Sequence, residues 1–139
     1  MSIKVRLQQS KFGEADGGGK WHARVVSQGV VTTPELADSI QENTSFTRGD
    51  VRGIVIALID EIAYRLGEGQ TVALEGLGRF HLTVESTPVV NKEDFKLRKN
   101  IKSIKCKFVP AGRRDPMTGK KEQDFASGVT VEWADEDDD

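Results

Sequence analysis

Residues 45–69 read SFTRGDVRGIVIALIDEIAYRLGEG, and this stretch decides the fold. Thr47 and Asp50 have the spacing of a helix capping box, with Asp in place of the usual Glu. Apolar side chains then recur at helical spacing until Gly67 and Gly69, which are typical of a helix end. The stretch therefore predicts one long amphipathic helix. Its apolar positions are Val51, Ile54, Val55, Leu58, Ile59, Ile62, Ala63 and Leu66.

This apolar stripe is unusually wide for one surface helix, because Ile56 and Ala57 extend it sideways. Two explanations are open. The helix is the central core helix of a single chain, or a partner subunit covers part of it. Helical spacing alone does not choose between them, since both place apolar side chains away from water.

The preceding residues predict a shorter helix and a hairpin. In VTTPELADSIQENT (31–44), Thr33 is a candidate N-cap and Pro34 suits the first helical position, with the helix ending near residues 43–45. IKVRLQQ (3–9) and WHARVVS (21–27) alternate apolar and polar residues, as half-buried strands do. They predict a β-hairpin with a flexible tip at residues 13–20.

The residues after the long helix predict further β-structure. TVALE (71–75) and RFHLTV (79–84) alternate and flank a Gly-Leu-Gly turn at residues 76–78. Residues 86–100 have no clear period, whereas IKSIKCKFV (101–109) and GVTVEW (128–133) predict strands. In the first of these, Ile101 and Ile104 depart from the regular alternation. The predicted fold class is α+β.

The net charge of -2 hides a segregation of charge along the chain. Residues 92–121 carry eleven basic and three acidic side chains, whereas residues 122–139 carry eight acidic side chains and no basic one. A basic block followed by an acidic tail is common in proteins that meet nucleic acid. The alternative is that both segments are solvated surface.

Residues 112–121, GRRDPMTGKK, place four cations around one predicted turn. Asp115, Pro116 and Gly119 are the residues that such a turn needs, so a solvated hairpin tip explains the segment without a function. The other explanation is contact with a polyanion. The segment is not a phosphate-binding P-loop, because six residues separate its glycines and Lys121 replaces the required Ser or Thr.

Few residues suggest chemistry. His22 and His81 lie in predicted strands without nearby metal-ligand partners, and Cys106 is a lone thiol expected to be half-buried. We therefore expect no metal, no cofactor, no small-molecule substrate and no enzymatic activity. A single cysteine favours a reducing compartment, and MSIKVRLQQ lacks the apolar region of a signal peptide. We expect a cytoplasmic protein without a membrane partner.

The order of elements over residues 34–82 resembles the HU/IHF family of bacterial histone-like DNA-binding proteins. TSFTRGDV matches the turn and cap of that family's second helix, and LGEGQTVALEGLGRF matches its helix end, strand and Gly-Phe-Gly-x-Phe turn, with Leu77 replacing the first aromatic. The resemblance implies an intertwined homodimer with two helices per chain, a β-saddle, and two basic β-arms that hold DNA through its phosphates and the minor groove.

The resemblance leaves the course of the arm open. DPMTG (115–119) looks like the family's arm tip but lies far beyond Phe80, while IKCKFVPAGR resembles the strand after the arm. The favoured alignment puts the arm at residues 84–103, with Pro88 as a candidate wedge between base pairs. The other alignment makes Pro116 the wedge. The family's C-terminal helix is absent, and the two terminal strands either pair with each other or extend the saddle.

The resulting prediction is a divergent HU-like variant with one domain at residues 1–133. It divides into an N-terminal hairpin (1–31), a core (32–110), a C-terminal β-extension (111–133) and, beyond the domain, an acidic disordered tail (134–139). The expected function is sequence-independent DNA binding by a non-enzymatic homodimer in the nucleoid. The alternative is a dimeric structural or protein-interaction module. The expected DNA-binding residues are Lys96, Arg98, Lys99, Lys102, Lys105, Lys107, Arg113, Arg114, Lys120 and Lys121. The expected dimer core is Val51, Ile54, Val55, Leu58, Ile59, Ile62, Leu66 and Phe80.

Overall fold

The computed structural model describes residues 1–11 and 19–135 and shows an α+β chain, as predicted. Its helices are α1 (Thr33–Asn43), α2 (Arg48–Gly67) and the short α3 (Leu97–Asn100), and 3-10 turns occupy Lys92–Asp94 and Asp124–Ala126. Its strands are β1 (Ser2–Gln9), β2 (Trp21–Val25), β3 (Val72–Leu74), β4 (Gly78–Ser86), β5 (Ile101–Pro110), β6 (Gly112–Arg114), β7 (Lys121–Gln123) and β8 (Thr130–Trp133).

Helix α2 begins with the predicted capping box. The Asp50 backbone N–H donates to the Thr47 hydroxyl and the Thr47 backbone N–H donates to the Asp50 carboxylate, both at 3.1 Å. Hydrogen bonds from Thr47 hold the pKa of Asp50 below its usual value. The helix ends at Gly67, and Gly69 follows with a φ of 82°, which favours glycine. Both ends of α2 therefore follow from local sequence.

Replacing Thr47 with alanine should lower the free energy of unfolding by about 1 kcal/mol, because it leaves a backbone N–H of α2 without its acceptor. Thermal or urea unfolding would measure the loss. Thr71→Ala is the matched control, since the Thr71 hydroxyl forms no hydrogen bond to any described residue. Equal losses in both variants would show that the cap contributes nothing to stability.

Helix α1 includes Thr33 rather than starting after it, so the predicted N-cap is wrong by one residue. The Thr32 carbonyl accepts the first helical hydrogen bond, from the Leu36 N–H at 3.0 Å. The Thr32 backbone N–H and hydroxyl both donate to the Glu35 carboxylate, at 2.7 and 2.9 Å, and these bonds lower the pKa of Glu35. Thr32 rather than Thr33 is therefore the N-cap residue, and its hydrogen bonds to the Glu35 carboxylate stabilise this helix start.

Strands β3, β4 and β5 form one antiparallel sheet in that order. The Gly-Leu-Gly turn joins β3 to β4, with Gly76 and Gly78 at φ values of 80° and 147°. Strands β4 and β5 pair along most of their lengths, from Gly78 opposite Pro110 to Ser86 opposite Ile101. A register shift falls between Glu85 and Ser86, where Lys102 is the extra residue on β5. This bulge explains the irregular alternation at the start of β5.

A second sheet has the order β2-β1-β8. Strand β2 runs antiparallel to β1, as the predicted hairpin requires, and β8 runs parallel to β1 with Ile3 opposite Val131 and Val5 opposite Trp133. The two ends of the chain therefore pair with each other instead of extending the other sheet. Residues 13–18 of the predicted hairpin tip and 136–139 of the predicted acidic tail lie outside the described residues.

The chain divides into two compact units. Among described residues, one unit contains the chain up to Leu36 and from Ala126 onward, and the other contains residues 37–125. In the second unit, the buried apolar side chains that the structure describes are Ala37 and Leu66. Such a small core is notable for a segment of this length, because domains this size ordinarily bury most of their apolar surface. The prediction of one domain over residues 1–133 stays a prediction.

Candidate nucleic-acid interface

The β4–β5 ribbon has two chemically different faces. One carries Phe80, Leu82 and Val84 from β4, opposite Phe108, Cys106 and Ile104 of β5. The rings of Phe80 and Phe108 pack with centroids 4.8 Å apart. The rest of this face is open, with Val84 and Ile104 61% and 66% exposed. Cys106 is also exposed, so the expectation of a half-buried thiol is wrong, because no described element covers it.

The opposite face of the ribbon is cationic. His81 lies opposite Lys107, Thr83 opposite Lys105, and Arg79 opposite Val109. Lys105 and Lys107 of β5 therefore share this face, while Lys102 falls at the bulge. Arg79 was not among the predicted cations. The alternation of β4 could have identified it, because Arg79 must point to the face opposite that of Phe80 and Leu82.

Lys105 is partly neutralised within this face. Its Nζ lies 3.1 Å from Oε2 of Glu85, and the Ser103 hydroxyl donates to the same carboxylate oxygen at 3.3 Å. Both side chains of the ion pair are about half exposed, so the pair is weak and screened by salt. The other predicted cations form no ion pair with any residue that the structure describes.

Residues 87–100 join β4 to β5 and are folded rather than extended. Pairing of the ribbon ends at Ser86 and Ile101, so the expected arm over 84–103 is a ribbon only at its base. Four exposed cations decorate this connection: Lys92, Lys96, Arg98 and Lys99. Pro88 is exposed near its start rather than at a ribbon tip, and Val90 is fully exposed.

Asn100 holds the connection closed. This residue is buried, with 7% of its surface exposed. Its Oδ1 accepts from the Lys96 backbone N–H at 2.8 Å, its Nδ2 donates to the Thr87 carbonyl at 3.3 Å, and its own carbonyl accepts from the Thr87 N–H at 2.7 Å. Buried amides with all partners present stabilise one geometry. The connection therefore presents its cations from a defined scaffold.

The remaining predicted cations lie in a separate hairpin, β6–β7, with Pro116 in its turn. The Asp115 carboxylate accepts from the Met117 backbone N–H at 2.8 Å and from the Thr118 hydroxyl at 2.9 Å, and these bonds lower the pKa of Asp115. Gly119 has a φ of 70°, as expected of the left-handed turn position. The set of cations is Arg113, Arg114, Lys120 and Lys121, all exposed.

The residues of the predicted dimer core, on α2 and at Phe80, differ in how far the chain itself covers them. Leu66 is buried, and Val51, Val55, Ile62 and Phe80 are half-buried. Three others are open, since Ile54 and Ile59 are 59% and 58% exposed and Leu58 is 41% exposed. Part of the apolar stripe of α2 is therefore exposed to solvent in the single chain.

Among residues 1–11 and 19–135, no group of three or more His, Cys, Asp or Glu side chains could hold a metal ion. The described helices include none that is long and apolar enough to cross a membrane. The geometry of the cationic surfaces suits contact with an extended polyanion, because exposed guanidinium and ammonium groups bind phosphates without a closed pocket.

Comparison with solved structures finds a fold likeness. The match is to a candidate bacterial DNA binding protein from Bacteroides vulgatus, with a TM-score of 0.62 and 14% sequence identity. It covers 95% of this chain and 47% of the other chain. At this identity the match shows the fold alone.

Comparison with curated proteins finds integration host factor subunit alpha from two strains of Caulobacter vibrioides, each 34% identical over 53 residues. The alignment covers 38% of this chain, which spans about half the length of these relatives (53%). A match to a protein-family model covers residues 1–122, a range that includes the N-terminal hairpin as well as α1, α2 and the β3–β4–β5 sheet. The resemblance to HU and IHF is thereby confirmed: the chain belongs to the HU-HIG family, described as an HU domain fused to a wHTH, Ig or glycine-rich motif.

Proposed function

We propose that this protein is a non-enzymatic, architectural DNA-binding protein of the nucleoid that acts as a homodimer and binds largely without sequence preference. The observation that carries the proposal is the two-faced β4–β5 ribbon, which places Lys107 and Arg79 on one side and the Phe80–Phe108 pair on the other. Exposed cations of this kind contact backbone phosphates. Phosphate contacts do not depend on base sequence, so such binding has little sequence preference.

The connection at residues 87–100 supplies the main phosphate contacts in this proposal. Lys96, Arg98 and Lys99 are exposed, and Asn100 fixes the backbone that bears them. A preorganised cation loses less freedom on binding than one on a mobile loop, so each contact retains more of its favourable free energy. Lys92 belongs to the same connection, and Lys102 and Lys107 extend the cationic surface along β5.

The homodimer is supported by the uncovered apolar surface. Ile54 and Ile59 flank the covered part of α2, and Val84 and Ile104 open the apolar face of the ribbon. A second copy would cover these residues if the helices of two chains formed a base beneath a shared saddle. That arrangement would leave the cationic faces of both ribbons free for one duplex.

A titration of fluorescent random-sequence duplex at several salt concentrations tests the proposal. The double variant Arg98→Gln/Lys99→Gln should bind the duplex about tenfold more weakly near 0.1 M salt. The slope of log K against log salt should become shallower by about 2 per chain. The matched control replaces Arg48 and Arg65, whose guanidinium groups pair with Asp38 and Glu61 on the helices. The control should keep the wild-type slope.

A different class of function is favoured by one observation. Glu85 partly neutralises Lys105, and the acidic residues Glu93 and Asp94 lie within the cationic connection. These carboxylates suit a dimeric structural or protein-interaction module in which contact with DNA has been lost. A dimer that leaves the duplex free even at low salt would support this alternative and overturn the proposal.

A further inference from the structure

Hydrogen bonds fix the β6–β7 hairpin both at its base and at its turn. Its base is anchored to the sheet, since the Ala111 N–H donates to the Leu77 carbonyl at 3.0 Å and the Asp124 N–H donates to the Ala111 carbonyl at 2.9 Å. At Gly112 the two strands approach so closely that a Cβ would meet the Glu122 carbonyl oxygen. At the other end, Asp115 forms hydrogen bonds to four residues of the turn: Met117, Thr118, Gly119 and Lys120. The hairpin is therefore ordered at both ends.

Arg113 faces Glu122 across the β6–β7 hairpin, but the cations next to the turn repel one another. Arg114 lies directly opposite Lys121 in the ribbon, and like charges in that position destabilise paired strands. Lys120 adds a third cation beside them. The nearby Asp115 carboxylate is engaged by the turn, and no described acidic side chain forms an ion pair with any of the three. An external anion would relieve this repulsion.

The tip also holds an apolar side chain in water. Met117 is 94% exposed at the top of the turn, next to Pro116. Proteins that bind the minor groove commonly place Met, Pro or other apolar side chains against the bases, between flanking cations that contact phosphates. The hairpin offers both parts of that arrangement within a few residues.

The hairpin and the connection lie at opposite ends of β5. This strand runs for ten residues from Ile101, where the connection ends, to Pro110, just before the hairpin. At about 3.3 Å per residue the strand spans roughly 30 Å. One turn of B-form DNA rises by about 34 Å, so the two cationic elements are spaced to contact phosphates about one helical turn apart.

We propose that the β6–β7 hairpin is a second duplex-DNA contact, in which Arg114, Lys120 and Lys121 bind phosphates and Met117 enters the minor groove. The inference rests on the proposed DNA-binding function and adds a separate site to it. The connection at residues 87–100 would hold the duplex at one end of β5. The hairpin would hold it at the other.

The test compares the full chain with an Arg114→Gln/Lys121→Gln variant in the same salt titration. The slope of log K against log salt should fall by about 2 per chain, while the thermal midpoint stays the same or rises because the like-charge pair is gone. A photo-crosslinking amino acid is also placed at Met117 and, as a control, at the exposed residue Glu68 beyond α2. DNA should crosslink to position 117 and not to position 68.

The outcomes separate this inference from the function on which it rests. If the wild-type chain binds DNA and the Arg98/Lys99 variant weakens binding, but the hairpin variant keeps the wild-type slope and position 117 gives no crosslink, the second contact is wrong and the proposed function stands. If the wild-type chain leaves DNA free at low salt, both fall. A reduced slope in the hairpin variant together with a crosslink at 117 supports the second contact.

Discussion

Replacing Gly78 with alanine is expected to lower the free energy of unfolding by about 2–6 kcal/mol, the largest loss of stability that we predict. The φ of Gly78 is 147°, which a residue with a Cβ rarely adopts. The added Cβ would also run into the Val109 carbonyl oxygen and come within 2.8 Å of the Phe108 ring. The Val109 carbonyl belongs to the backbone of β5, which pairs with β4, so it cannot move without disturbing the β4–β5 ribbon.

Gly76→Ala is the matched control for this substitution. Gly76 has a φ of 80° in the same turn, but a Cβ there would meet nothing within 4 Å. Its expected cost is therefore only the left-handed backbone strain, about 1–2 kcal/mol. Urea unfolding of the two variants measures the difference. Equal losses would show that the close approach of Gly78 to β5 is unimportant for stability.

Replacing Ile59 with glutamate is expected to raise the dissociation constant of the proposed dimer by about 10²–10⁴. Covering the exposed part of Ile59 in both chains contributes about 2–3 kcal/mol in total, and an unpaired carboxylate in its place adds a desolvation cost. Ile59 is 58% exposed in the single chain, so the substitution should cost little stability within the chain itself. Sedimentation equilibrium over a range of protein concentrations measures the dimer directly.

Tyr64→Glu separates the effect of position from that of charge. Tyr64 is exposed almost equally, at 59%, but lies about 140° further around α2 than Ile59, away from the residues of the predicted dimer core. This variant should dimerise like the wild-type chain. A wild-type chain that stays monomeric at high concentration would contradict the proposed dimer. Equal weakening in both variants would show that Ile59 has no particular place in its interface.

The helices and turns could be predicted because their causes are local. The capping box joins Thr47 to Asp50, and the glycines that end α2 act within a few residues of it. The alternation of β4 and β5 depends only on neighbouring residues, so the face of Lys105 and Lys107 was also predictable. Much of the candidate site was therefore visible as a list of cations.

The grouping of those cations depended on long-range contacts. The ion pair between Lys105 and Glu85 follows from the register of β4 against β5, which no local pattern contains. The connection at residues 87–100 showed no period, because Asn100 organises it through hydrogen bonds to Thr87 and to the Lys96 backbone. The short helical turn in a segment expected to be an extended arm is a result of these bonds.

By itself, the sequence determined the two main helices, the strands, their glycine turns and the separation of basic from acidic segments, since each depends on residues close together in the chain. Only the tertiary structure decided that β8 pairs in parallel with β1, that Lys102 sits at a bulge, and that the basic connection and basic hairpin lie at opposite ends of β5. The physical reason is that strand order and register are set by pairing between distant segments, and alternation within one strand fits several partners equally well.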